Sequence, residues 1–322
     1  MGKKDILSNE YLGNSERFAD IFDYYLHDGK GVIKAEDLVE LDSKELMAFL
    51  DSVKSTYFSK LRDIIKSCSI KMDGRVVYVL LGIENQTALD RSMPVRASLY
   101  DAINYTNQIR KIAEKNRTEK LLDEGDDFLS GLKESDRIVP IITLVVYWND
   151  KEWTGPRNLS DLYLDIPVEI KKYCNDYRLN IISPHDITDF KKFKTEVGDV
   201  FEFIKRQNED NLLAEMQSEH EEDWCMSVES INVINEFTGA NIPTDKQEGG
   251  KVKMCRATEA IFEQGIEQGV EQGIEQGIRA FIEDKLEDNI DDETIIKKLE
   301  SRFELTEEKA KEYLKQCKET EN

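Results

Sequence analysis

Apolar residues recur along this chain with two different periods. In "ERFADIFDYYL", residues 16–26, Phe18, Ile21, Phe22 and Tyr25 fall three or four apart, which predicts an amphipathic helix with Ser15 as its N-cap. "DGKGV" stops it. "KAEDLVEL" reads as a loop and a short segment, and "DSKELMAFLDSV" as a short helix or turn. Two strand-like runs follow, "RDIIKSCSIKM" and "RVVYVLLGIENQ". A helix is predicted over roughly 91–117, with Met93, Val95, Leu99, Ile103 and Ile109 as a broken apolar stripe. "RIVPIITLVVYW" is a third, buried strand. "NDKEWTGPRNLSDLY" is a turn leading into a capped short helix, and "RLNIISPHDI" holds one more strand. "FKKFKTEVGDVFEFIKRQN" and the stretch after it, to about Phe237, are helical, and "GANIPTDKQEGG", residues 239–250, is a linker.

Past the linker the pattern becomes a repeat of period four, "EQGIEQGVEQGIEQGI". On a helix, Ile266, Val270, Ile274 and Ile278 make one ridge, and Gly265, Gly269, Gly273 and Gly277 the adjacent one. Each glycine costs about 1 kcal/mol in an exposed helix. The repeat is therefore either a self-association helix, whose glycine ridge admits a close partner, or a solvated low-complexity linker. "DETIIKKLESRFELTEEKAKEYL" predicts a helical hairpin, with Thr306 capping its second helix.

Asp73-Gly74 lies between the first two strand runs, which is the signature of a two-residue hairpin turn. With the turn there, Met72 faces Arg75 and Asp63 falls opposite Glu84. Side chains opposed in this way share a face, with Cβ atoms about 4.5–5.5 Å apart. Gln86 shares that face, while Ile64, Cys68, Ile70, Val77, Val79, Leu81 and Ile83 form the other, a core surface. Two carboxylates so placed repel unless a proton or a cation joins them. Oxygen donors without Cys or His suit Mg²⁺ or Mn²⁺. The plainer reading has Asp63 capping the strand start and Glu84 facing solvent.

Composition narrows the classes. The chain has 322 residues, 39% hydrophobic and 34% charged, which suffices for a real core. No apolar run is long enough to span a bilayer, and "MGKKDILSNEYLG" lacks the apolar stretch of a secretory signal. The five cysteines form no C-x-x-C pair, which predicts reduced thiols in a cytoplasm and no structural zinc. Net charge is −22, which argues against a nucleic-acid coat protein. The charge is uneven: residues 211–322 carry 28 acids against 13 Lys or Arg. His27, His185 and His220 are isolated, and Tyr147, Trp148, Trp153 and Tyr163 read as core and turn packing.

The stretch "RDIIKSCSIKMDGRVVYVLLGIENQTALDRSMPVRASLYDAINY" resembles the bacterial recombination-promoting nuclease family, also described as transposases of the PD-(D/E)XK nuclease superfamily. An Asp enters a strand, a hairpin follows, and the next strand ends in Glu-x-Gln. Asp90, Met93, Arg96 and Tyr100 match the following helix, and Pro140, Tyr147 and Trp153 match a later strand and turn. The likeness runs from about residue 5 to 205, and a repetitive Glu- and Gly-rich tail is usual in these proteins.

The resemblance implies an α/β fold with a restriction-endonuclease-like core, a mixed central sheet flanked by helices, in residues 1–210. A helix and linker would follow at 211–250 and an acidic helical tail at 251–322. It implies a Mg²⁺-dependent DNA endonuclease aiding recombination of mobile elements, with Asp63 and Glu84 as metal ligands and catalytic residues. Position 86 is typically Lys in the superfamily. Gln86 can orient a nucleophile but carries no charge, and Arg96 is the candidate to replace it, with Tyr100 on the same helix face. Asp20 or Glu16 is the guess for a further acid. Arg110 and Lys111, with Lys115, Arg117 and Lys120, are either phosphate contacts or a solvated helix end. The competing reading is a catalytically silent DNA- or partner-binding protein that oligomerises through its tail.

Overall fold

The computed structural model describes residues 2–40, 64–72, 75–122, 125–220, 224–245, 247–288 and 290–320. Asp63, the Asp73-Gly74 turn and the segment "DSKELMAFLDSV" lie outside the described residues. The chain divides into two units, Met1–Val252 and Lys253–Asn322. None of the described helices is long and apolar enough to cross a membrane.

The first unit is mixed α/β. Its five-stranded sheet runs in the order β1 (Leu38–Glu40), β2 (Ile64–Met72), β3 (Arg75–Gln86), β4 (Ile141–Tyr147) and β5 (Asn180–Ile182). The first three strands are antiparallel neighbours, and β3, β4 and β5 are parallel. Met72 pairs with Arg75 and Ile64 with Ile83, which is the register expected from the Asp-Gly turn. β4 is "IITLVVY", and from Thr143 to Tyr147 every residue is buried, as suits an interior parallel strand covered on both faces.

Each sheet face has its own helical layer. α1 (Lys3–Gly13) and α2 (Ser15–His27) lie on the face bearing Leu81 and Ile83. α2 buries Phe18, Ile21 and Phe22 as its period predicts, but its N-cap is Asn14, whose side chain accepts from the Glu16 and Arg17 amides. Asp28 and Gly29, both left-handed, end it. The core face of β2 is not wholly apolar. Lys66 stands between Ile64 and Cys68, and its Nζ donates to Gly13 O at 2.7 Å and Ser15 Oγ at 2.9 Å. It thereby ties the α1–α2 junction to the sheet.

α3 (Met93–Thr118) covers the opposite face. Met93 and Ala97 pack there with Val145, Tyr147, Trp153, Leu179 and Ile181. Of the expected apolar stripe, Met93 and Ile103 are buried while Val95, Leu99 and Ile109 are exposed. The buried side of α3 is completed by Ala97, Tyr100, Asp101 and Asn104, so it is largely small or polar.

The described residues of 211–250 belong to the first unit. α4 (Val197–Arg206), α5 (Leu212–Glu219) and α6 (Val228–Thr238) are helical, and β6 (Cys225–Ser227), β7 (Gln247–Glu248) and β8 (Lys251–Lys253) form a small second sheet. Two polar and aromatic ties fix it. Glu196 accepts from the Ser227 amide and from the Ser227 and Ser230 hydroxyls, and Ser230 meets the Tyr11 hydroxyl. Trp148 packs against Phe201 and Phe237.

The second unit contains the long helix α7 (Met254–Glu287) and the expected hairpin, α8 (Asp292–Phe303) with α9 (Glu307–Thr320). Ile278 and Ile282 of α7 join Ile295, Leu299, Ala310 and Leu314 in a small core. Upstream on the repeat ridge, Val270 and Ile274 are exposed.

Candidate functional site

Glu84 sits near the end of β3, paired with Val145, on the face covered by α3. It is 1% exposed. The strand leads into α3 through a turn that Asp90 organises, accepting from both the amide and the hydroxyl of Ser92. Pro94, in the first turn of α3, suits a helix start. This short connection puts the first turns of α3 over the end of β3 and brings Arg96 to Glu84.

The Arg96 guanidinium is shared. Its Nη1 donates to Asp90 Oδ2 at 2.7 Å, while Nη2 lies 3.5 Å from Glu84 Oε2 and 3.5 Å from the Tyr100 hydroxyl. Burial disfavours the Arg96 charge. The hydrogen bonds Arg96 donates to Asp90 and Tyr100, with the field of Glu84, more than offset this and hold its pKa above the ordinary range. Asp90 titrates below the usual carboxylate value: burial works against that, and its bonds to Ser92 and Arg96 outweigh it.

Gln86 follows on the same face of β3 by strand alternation and is half-buried. Its backbone carbonyl accepts from the Trp148 amide at 2.9 Å, which pins the strand end. Asn85 points the other way, between Trp148 Nε1 and Asn9. Of the expected site, the described residues thus bring together Glu84, Arg96 and Tyr100, with Asp90 as an added member. Asp63 lies outside them.

The other candidates fall elsewhere. Asp20 is buried on the α1–α2 side and accepts from the Lys194 and Thr195 amides and the Thr195 hydroxyl, a structural task. Glu16 is exposed. Arg110 and Lys111 are exposed on α3, fourteen and fifteen residues past Arg96, or about 21 Å along a helix rising 1.5 Å per residue. Tyr147, Trp148 and Trp153 are core residues, as the sequence suggested.

Sequence reasoning missed Asp101, one position beyond Tyr100. Its carboxylate is buried and accepts from the Thr143 hydroxyl at 2.5 Å and the Tyr177 hydroxyl at 2.6 Å. These residues line a cavity of about 480 Å³ that also meets Ser98, Tyr105 and Asn180. On the same sheet face Gly82 pairs with Thr143, so β3 adds no side chain at that level. Gly82 was the one sequence signal for this space.

The donors fit a hard divalent ion in kind, since Glu84 and Gln86 both offer oxygen. Among the described residues no three His, Cys, Asp or Glu side chains converge as a metal site. Comparison with known proteins found no matching family model, no similar curated protein and no similar solved structure.

Proposed function

We propose that this chain is a Mg²⁺-dependent DNA endonuclease of the recombination-promoting type, with a restriction-endonuclease-like core. The observation that carries the reading is the buried Glu84 at the end of β3, held against Arg96 at the mouth of α3. The mixed order of the sheet, an antiparallel hairpin joined to parallel strands, is consistent with that core.

In this reading Glu84, with Asp63, holds the ion. Mg²⁺, when bound, polarises the scissile phosphate and lowers the pKa of a bound water. Gln86 orients the attacking water through its side-chain oxygen. Arg96 is about one-third exposed, so it can reach a phosphate while Glu84 and Asp90 aim it. Its fixed charge then meets the negative charge that builds on the phosphate in the transition state, the role left open by a neutral residue at 86. The exposed bases of α3, Arg110 and Lys111 among them, contact backbone phosphates further along the duplex.

One observation favours a second reading. A guanidinium already stands beside Glu84, so the carboxylate has a structural use without metal. The chain would then be a silent DNA- or partner-binding module that oligomerises through its repeat helix, on which Val270 and Ile274 are exposed. Incubation with supercoiled plasmid separates the two. The nuclease reading predicts cleavage that needs Mg²⁺ or Mn²⁺, is abolished by chelator and is lost in Asp63→Ala. Binding without cleavage under all these conditions supports the silent module.

A further inference from the structure

Between β4 and β5 the chain makes an excursion, residues 156–179, whose neck is stitched shut. Leu159 N donates to Tyr177 O at 2.9 Å, Leu179 N donates to Arg157 O at 2.8 Å, and Asn158 bridges Arg178. Ser160 donates to Asp176 through both its amide and its hydroxyl, and the Tyr163 hydroxyl donates to Asn175 O. Asp161 accepts from the Arg157 and Asn158 amides. Leu179 and Tyr177 anchor the base in the α3 core. The neck, residues 157–163 against 175–179, is thus closed by its own polar groups.

The arm's apolar groups do the opposite of what a self-contained loop requires. Compact surface loops bury their own side chains. Here Leu164 is 86% exposed, Tyr173 79%, Val168 77%, Ile170 54% and Leu162 42%. Isolated exposed apolar residues need no explanation, but five within twelve positions on one arm are a concentration of the kind that marks an interface.

We propose that the tip of this arm is a self-association surface, packed against the same tip of a second copy across a two-fold axis. Charge selects the second copy as the occupant. Asp161 and Asp176 are engaged within the neck, which leaves Asp165 and Glu169 against Lys171 and Lys172 at the tip. The tip is therefore neutral on a chain of net charge −22, and two copies approaching there avoid the repulsion they meet elsewhere. The acids precede the bases, so an antiparallel, self-complementary contact sets each copy's acids against the other's bases. The inference is independent of the chemistry assigned to Glu84.

The test is sedimentation of the full chain. Wild type should dimerise, and Leu164→Asp with Val168→Asp should raise the dissociation constant at least ~30-fold, the scale of losing one hot-spot side chain. Both positions are more than three-quarters exposed, so an unchanged melting temperature shows that the variant folds. Lys171→Glu with Lys172→Glu, and separately Asp165→Lys with Glu169→Lys, should each be monomeric, and mixing the two should restore dimers. A wild type that stays monomeric at ~100 μM, well above the micromolar range of ordinary specific association, overturns the proposal. So does a dimer that survives the arm variants but dissociates with Val270→Asp and Ile274→Asp, which would place the contact on the tail.

Discussion

The Nη2 atom of Arg96 stands 3.5 Å from Oε2 of Glu84, while the Nη1 of the same guanidinium donates to Asp90 at 2.7 Å. One cation therefore faces two carboxylates from different elements, one at the end of β3 and one in the turn that leads to α3. The shorter contact is to Asp90, so in the proposed nuclease Arg96 would keep that bond and loosen from Glu84 if a divalent ion and a phosphate competed there. On this account the guanidinium is the fixed charge of the site and Gln86 is its neutral companion.

That account predicts how positions 86 and 96 depend on each other. Arg96→Ala should lower the cleavage rate at least ~100-fold, the scale of removing one group that stabilises developing charge. Gln86→Lys should recover part of the loss in the Arg96→Ala background and change little or raise the rate in the native one. Single-turnover rates of the four proteins, each corrected for its folded fraction, give the comparison. Normal cleavage by Arg96→Ala would show that Arg96 only ties β3 to α3.

Asp90 makes a prediction in pH. Its pKa is lowered on folding, so its interactions contribute stability above the unfolded carboxylate pKa, and this is lost as pH falls through the folded value. Asp90→Asn should cost about 1 kcal/mol at pH 7, a modest figure because the pair is partly solvated. The difference from wild type should shrink below about pH 4. Thermal melts of both proteins at pH 7 and at low pH measure it, and a pH-independent difference would mean that Asp90 acts through turn geometry alone.

Cysteine reactivity tests the strand register. Burial pushes the Cys68 thiol up to about 11, and its side chain faces the core of β2, whereas Cys174 is exposed on the 156–179 arm. At pH 8 a thiol reagent should label Cys174 quickly and Cys68 only on unfolding. A one-residue slip of β2 would turn Cys68 to the other face. Fast labelling of Cys68, read by peptide mass, would contradict the pairing of Cys68 with Val79.

What was legible in the sequence follows from how local each signal is. The Asp-Gly pair and the period-two runs carry the β2–β3 register within a dozen residues on either side, and Ile64 meets Ile83 as they imply. Thr306 and the apolar spacing after it foretell the α8–α9 hairpin in the same local way. The buried face of α3 was not legible. Its apolar residues at 95, 99 and 109 point outward because the face with Met93, Ala97, Tyr100 and Asn104 packs on the sheet, and only the tertiary pairing dictates that. Lys66 and Asp101 escaped notice for a related reason. Each is a charged residue whose hydrogen-bond partners, such as Gly13 and Ser15 for Lys66 or Thr143 and Tyr177 for Asp101, come from other elements far along the chain. The linker expected at 239–250 is tied back to α6, where the Asn235 side chain bonds both the amide and the carbonyl of Ile242.

The most direct measurement is plasmid cleavage by wild type and Glu84→Gln side by side in Mg²⁺. The substitution keeps the shape of the side chain, and Arg96 keeps Asp90, so the melting temperature should hold within a few degrees, equivalent to about 1 kcal/mol. The account predicts that wild type nicks or linearises the plasmid and that Glu84→Gln, equally folded, does not. Cleavage at the wild-type rate by Glu84→Gln would contradict it.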